Sequence, residues 1–392
     1  MPYCYYLANK NGRFAKFCSI TDQYYYNLKS VTSGFRRVAV KVGSNVITGE
    51  DGSLDTGRIL RIVEDIAVLF KSGTDVVLIS SGAVAAGRKG IKLSKGTSLV
   101  STKQVLSAVG QVKLMASYQF LFSKYLIDAG QVLTTKESFR DRMHYLNMKN
   151  CITSMLENKI LPIINENDTV SVNELMFTDN DELSGMISSM MNCDCLIILS
   201  NVDGLFTGVP GCNGSELIRE IDDTSGDINK YITSSRSEFG RGGMITKCSI
   251  ARKIALEGID VFVANGRRES IIRDIVNHKD VPCTHFVAGS KKANNVKKWL
   301  FHSETFARGA VYINHGAREA LLSNKATSLL MIGITGIEGS FRKGDIISIL
   351  DENGKKIGLG KSQLDSGKAE LNIGKKIGRP LIHYDYMVVT DK

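Results

Sequence analysis

The chain of 392 residues contains no run of eighteen apolar residues, so a membrane-spanning helix is excluded. It also lacks any Cys-x-x-Cys pair, and its 8 cysteines (Cys4, Cys18, Cys151, Cys193, Cys195, Cys212, Cys248 and Cys283) are scattered. Cys193 and Cys195 sit in an apolar strand pattern, where alternate residues share a face. Buried free thiols are therefore expected in place of a metal site, which fits a reducing compartment and a cytoplasmic location. The P-loop is absent too. That motif needs G-x-x-x-x-G-K-[ST], with the lysine directly after the last glycine. In "GRGGMITK" (Gly240–Lys247), Lys247 stands four residues past Gly243 and Cys248 follows it. Whatever phosphate chemistry this glycine loop serves, other parts of the chain must complete the site.

The composition, 43% hydrophobic and 23% charged, is that of a soluble globular protein, and the length calls for two or three domains. The net charge of +10 is uneven. Residues 291–392 hold 17 Lys and Arg against 10 Asp and Glu, residues 1–37 hold 6 against 1, and the middle is nearly balanced. A basic tail can serve nucleic acid, and solubility explains it equally well. The first residues show neither helical nor strand periodicity and have no continuous apolar core. They read as a disordered extension and not as a secretory signal.

From Arg37 short apolar runs alternate with amphipathic stretches. "RVAVKVGSNVI", "DVVLISSGAVAAG", "AGQVLTT", "ILPIINEND", "CDCLIILSNVDGLF" and "IDVFVANG" read as strands leading into loops. Helical patterns lie between them, such as "GRILRIVEDIAVLFKSG", which closes on the C-cap Gly73, and "STKQVLSAVGQVKLMASYQFLFSKYL". Strands alternating with helices predict a mainly parallel sheet covered on both faces, with functional loops at the carboxyl ends of the strands. After Ala288 short β-type runs broken by Gly and Asn-Gly turns predict a small barrel-like β domain. The expected organisation is an extension at 1–36, a catalytic domain at 37–290 and a β-rich domain at 291–392.

Several unusual stretches fall at those strand ends. Lys41 lies in an apolar run just before Gly43-Ser44: either it faces an anion, or it is a solvent-facing lysine on an edge strand. "SSGAVAAG" (Ser80–Gly87) has small side chains only, which either let a substrate approach the backbone or permit tight packing. "NENDTV" and "TDNDELSG" concentrate acids and amides after a strand and before a helix. Asp181 there also suits a helix N-cap. Capping explains one acid in such a cluster but not two clusters a dozen residues apart. No histidine lies near them, and no third acid has metal-ligand spacing. Lys247 opens a helix after "GRGG", where free N–H groups and the helix dipole favour phosphate. With Lys41 it makes a pair of cations suited to a transferring phosphoryl group.

Taken together, "VKVGSNVIT", "SSGAVAAG", "KQVLSAVGQ", "PIINENDTV", "DNDELSG" and "GRGGMITK" resemble the amino-acid kinase family in order and spacing, from about Arg37 to Ala288. The tail is similar to a PUA domain. The resemblance implies a three-layer α/β/α sandwich around an eight-stranded, mainly parallel sheet. It implies transfer of the γ-phosphoryl group of ATP, with Mg2+ on its phosphates, to the side-chain carboxylate of L-glutamate, the first step of proline biosynthesis. By motif, Lys41 and Lys247 would neutralise the transferring group and Asp181 would hold both. Ser81, Gly82, Ala83, Asp168 and Asn180 would bind the acceptor, with Asp168 facing its α-ammonium. Gly43, Ser44, Ser200, Asn201, Arg241, Gly242, Gly243 and Met244 would join the two lysines around ATP. The family's usual Thr-Gly-Gly is Arg241-Gly242-Gly243 here, which removes a hydroxyl and places a guanidinium. Aspartate, N-acetylglutamate or a nucleoside phosphate are the competing acceptors. A nucleoside phosphate would want arginines near the clusters, and none occurs between Pro162 and Asn201. The family further implies a homo-oligomer and feedback inhibition by proline. RNA contact through the basic PUA-like tail is the alternative from another class, although its aromatics are dispersed.

Overall fold

The computed structural model describes residues 34–94, 96–171, 180–208, 210, 212, 214–222, 244–289, 307–323 and 327–389. Residues 1–33 of the expected extension, Arg241, Gly242 and Gly243 lie outside the described residues.

The first unit runs β1 (Arg37–Val42), α1 (Ser44–Ile47), α2 (Thr56–Lys71), β2 (Asp75–Ser80), α3 (Ala83–Arg88), α4 (Leu99–Ser123) and β3 (Asp128–Thr134). It continues with α5 (Lys136–Arg140), α6 (Arg142–Glu157), β4 (Ile160–Glu166), α7 (Asn180–Met191), β5 (Cys195–Ser200) and β6 (Glu220–Ile221). Then come α8 (Met244–Ala255), β7 (Asp260–Asn265), α9 (Ile271–Val276) and β8 (Cys283–Phe286). The strands form one eight-stranded sheet in the order β3-β4-β2-β1-β5-β7-β8-β6. All its pairings are parallel except β7 with β8.

Burial on both faces dictates the strand sequences. Val38, Val40 and Val42 of β1 join a core cluster with residues of α2, α4 and α9, while Ala39 faces α6, α7 and α8 on the other side. A strand enclosed in this way gains nothing from polar alternation, hence runs such as "RVAVKV" and "CLIILS". The result is the α/β/α sandwich expected. The outer strands β6 and β8, of two and four residues, carry no readable period. Helix ends obey local chemistry: Asp55 caps α2 by accepting from Arg58 N, and Gly73 follows it at φ +100°.

Two details differ from the sequence reading. Packing begins before Arg37: Phe35 is buried against the rings of Phe262 and His278, at 6.4 and 5.2 Å between centroids. Cys193 and Cys195 are both buried free thiols, but they belong to cores on opposite sides of the sheet. The strand begins only at Cys195, so Cys193 does not follow its alternation.

The second unit comprises β9 (Gly309–Ile313), α10 (His315–Leu322), β10 (Leu329–Leu330), β11 (Ile334–Gly339), β12 (Ile346–Leu350), β13 (Lys356–Ser362), α11 (Ser366–Glu370) and β14 (Pro380–Val389). Its six-stranded sheet, β10-β14-β13-β12-β9-β11, encloses its own core around Val311, Met331, Phe341, Ile347 and Leu381. Only β9 with β12 is parallel.

Candidate active site

The strand order reverses direction at β1, which pairs with β2 on one side and β5 on the other. Loops leaving neighbouring strands there diverge and open a crevice at the carboxyl end of the sheet, where ligands of such folds bind. The carboxyl ends of β1, β2, β4 and β5 lead into Gly43-Ser44, Ser81, Asp168 and Ser200-Asn201. Lys41 is the fifth residue of β1 and only 4% exposed, so the edge-strand alternative is ruled out.

Lys41 and Lys247 meet on one carboxylate. Lys41 Nζ is 2.5 Å from Asp181 Oδ1, and Lys247 Nζ donates to Asp181 Oδ2 at 2.8 Å. Asp181 lies in the first turn of α7 and Lys247 in the first turn of α8, so two helix N-termini converge on the group. The carboxylate is fully buried. Burial alone would push its pKa up; the adjacent Lys41 and Lys247 ammoniums outweigh that and hold it below the usual carboxylate range. One anion between two cations leaves the trio with a net positive charge. Two lysines alone would repel each other at this distance, and a lone buried lysine would resist charging. Asp181 thus keeps two cations together in a dry place while leaving charge to spare.

Beside this trio lies an amide network. Asn180 Nδ2 donates to Ser81 Oγ at 2.8 Å and to Asn165 Oδ1 at 2.9 Å, and Asn165 Nδ2 donates to Gln111 Oε1 at 2.8 Å. Gly82 turns the chain from β2 into α3 at φ +103°, a conformation that side chains disfavour. The rest of "SSGAVAAG" is helix and not loop, and its smallness serves packing. A Cβ on Gly110 would stand 1.7 Å from the Ala83 carbonyl oxygen, and one on Gly87 would stand 1.9 Å from that of Leu106. α3 and α4 therefore touch backbone to backbone. Ala83 is buried in that contact and leaves Ser81 at the opening.

Asp168 is not waiting alone. Its Oδ1 lies 2.7 Å from Lys103 Nζ, and its Oδ2 accepts from Ser107 Oγ at 3.3 Å. Gln104 Nε2 donates to the Thr169 carbonyl at 2.9 Å. The sequence reading passed over Lys103, Gln104, Ser107 and Gln111. The signal was present in "KQVLSAVGQ": polar residues recur at i, i+4 and i+8 along a helix otherwise rich in apolar residues.

On the remaining side, Gly43 is half-buried, and a Cβ there would sit 3.6 Å from Lys41 Nζ. Ser44 opens α1 and is exposed. Ser200 is buried, with its hydroxyl 3.4 Å from Asn201 Oδ1. Met244 heads α8. Among the described residues no group of three or more His, Cys, Asp or Glu could hold a metal ion, and no helix is long and apolar enough to cross a membrane.

Comparison with known proteins agrees with this geometry. The profile of the Amino acid kinase family matches residues 36–265, and that of the PUA domain matches residues 309–380. A glutamate 5-kinase of Bacteroides thetaiotaomicron is 52% identical over 91% of this chain and 99% of its own length. Those of Chlorobaculum tepidum and Dictyoglomus thermophilum are 49% and 40% identical, over 91% and 87% of this chain and 98% and 91% of theirs. The chain belongs to the amino acid kinase family of phosphotransferases acting on small-molecule acceptors, in its glutamate 5-kinase branch with a C-terminal PUA domain.

Proposed function

We propose that the protein transfers the γ-phosphoryl group of ATP to the side-chain carboxylate of L-glutamate, giving L-glutamyl 5-phosphate and ADP, the opening step toward proline. The observation that carries this reading is Asp181 holding Lys41 and Lys247 within 2.5 and 2.8 Å, beside Asn165 at the end of β4 and Asp168 in the loop that follows it. The relatives' names support the choice of glutamate.

The acceptor carboxylate is ionised at neutral pH, so its oxygen attacks phosphorus without a general base. The bond from phosphorus to the β-phosphate oxygen breaks, and ADP leaves. The obstacle is repulsion between two anions, and catalysis is a matter of alignment and charge. Lys41 and Lys247 would face the transferring group and strengthen their hold as its charge spreads. Asp181 would position both. Ser81 and Asn180 would orient the acceptor, and the backbone at Gly43 and Ser44 would face the phosphates. Ser200 and Asn201 would begin the nucleotide side. Mg2+ would reduce the phosphate charge; with no carboxylate cluster among the described residues to cage it, the donor set fits a metal carried in on ATP oxygens and water.

The test is glutamate-dependent ADP release, with hydroxylamine trapping the acyl phosphate as its hydroxamate. Aspartate, N-acetylglutamate and UMP run as competing acceptors. Hydroxamate from glutamate in preference to the others is the expected result. Turnover with another acceptor but not with glutamate overturns the assignment.

A further inference from the structure

The N-terminal half of helix α4 departs from an ordinary surface helix, while its C-terminal half buries Leu114, Tyr118, Leu121 and Phe122 in the usual way. Lys103, Ser107 and Gln111 recur every four residues on its inward face, and Ser107 and Gln111 are 2% and 9% exposed. Val105, Val109 and Val112 are exposed on the other side. Burying polar groups costs free energy unless they find partners, so the polar stripe needs an explanation. Lys103 and Ser107 hold Asp168, and Gln111 holds Asn165, which joins Asn180 and Ser81. Among the described residues, Gln111 Nε2 and Asn180 Oδ1 are screened from water without a hydrogen-bond partner. The stripe therefore runs from an ion pair at the mouth to spare hydrogen-bonding capacity near the phosphoryl-transfer trio. About 12 Å of helix axis separates its ends, and a five-carbon amino acid fits within that length.

Resting on the glutamate reading above, we propose that Lys103 binds the α-carboxylate of the acceptor while Asp168 takes its α-ammonium. An α-amino acid carries opposite charges on one carbon. The Lys103–Asp168 pair presents the complementary order, one cation and one anion 2.7 Å apart. Lys103 is 37% exposed and Asp168 12%, so solvent reaches the pair from the lysine side, and an ion pair open on one side is weaker than one buried on both. A zwitterion entering there replaces one ion pair with two and leaves no charge unmatched. Asp168 alone would accept any amine and would repel the neighbouring carboxylate. With Lys103 beside it, the pair discriminates in favour of a free α-amino acid.

The test compares L-glutamate with 4-aminobutyrate, which lacks only the α-carboxylate, and glutarate, which lacks only the amine. Lys103→Met raises KM for glutamate about thirtyfold, the loss of one hydrogen bond to a charged group, and leaves kcat within a few-fold. It leaves kcat/KM for 4-aminobutyrate, or its Ki against glutamate, within threefold, so the unaltered protein's preference collapses. Lys103→Arg keeps most of that preference, and an unchanged thermal midpoint confirms folding. Equal losses against glutamate and 4-aminobutyrate, or no loss against either, overturn the proposal while the glutamate reading stands. Absence of glutamate turnover by the unaltered protein sinks both.

Discussion

Lys41→Met is the most direct test of the buried trio. Methionine nearly matches lysine in length and suits the apolar surroundings of β1, where Lys41 is 4% exposed. After the change, Asp181 keeps Lys247 at 2.8 Å, so no buried charge is orphaned and the fold survives. The trio's net charge falls from one positive to zero, and the transferring group loses one of two cations. Two unit charges 4 Å apart interact by about 4 kcal/mol at an effective dielectric constant of 20. Removing a single preorganised donor from such sites costs about 3–4 kcal/mol. Both routes give a fall in kcat of roughly a hundredfold to a thousandfold. A coupled ADP-release assay at saturating ATP and glutamate reads it, with circular dichroism and a thermal midpoint as controls. A folded variant that retains kcat within fivefold would refute the charge-neutralisation argument.

Gly110→Ala puts a methyl 1.7 Å from a backbone oxygen that has no freedom to swing away. α3 must move, and a stability loss of about 1–3 kcal/mol, seen in denaturant unfolding, should accompany a raised KM for the acceptor; an unchanged midpoint would contradict the close-packing account. Asp65, buried in α2, accepts from Ile272 N at 3.1 Å and pairs with Arg273 at 2.6 Å, thereby capping α9 from another helix. Burial raises its carboxyl to about 6 despite Arg273. The folded state then holds the proton more tightly than the unfolded chain, so this group's contribution to stability falls as pH rises from about 4 to 6 and is flat above. Relative to Asp65→Asn, the unaltered protein should lose about 3 kcal/mol across that window; parallel stability curves would be the contrary result.

Much of the fold was legible because burial imposes a period. The five strands β1, β2, β4, β5 and β7 are long enough, and enclosed enough, to read as apolar runs, β3 at the sheet's edge reads as a strand although it is largely exposed, and the helices between them carry amphipathic spacing and caps. β6 and β8 escaped because two to four residues cannot establish a period. Within the site, Lys41, Asp181 and Lys247 were readable as unusual residues at strand and helix ends. Lys103, Ser107 and Gln111 were not, although their spacing stood in a quoted motif: a polar residue in a helix ordinarily points to water, and only the fold puts this stripe inside.

The sequence by itself determined the alternating α/β class, the β-rich tail and the places where loops leave the strands, since each is written in local periodicity and turn chemistry. Tertiary structure alone decided that β1 is central, so that Lys41 is buried and not solvated. It decided that Lys41 and Lys247, far apart in the chain, share the two oxygens of Asp181. It also decided that Asp168 already has a cationic neighbour. Local pattern encodes that a face is covered but carries no information about which residues cover it. Charges find their partners only when strand order and helix packing bring distant segments together.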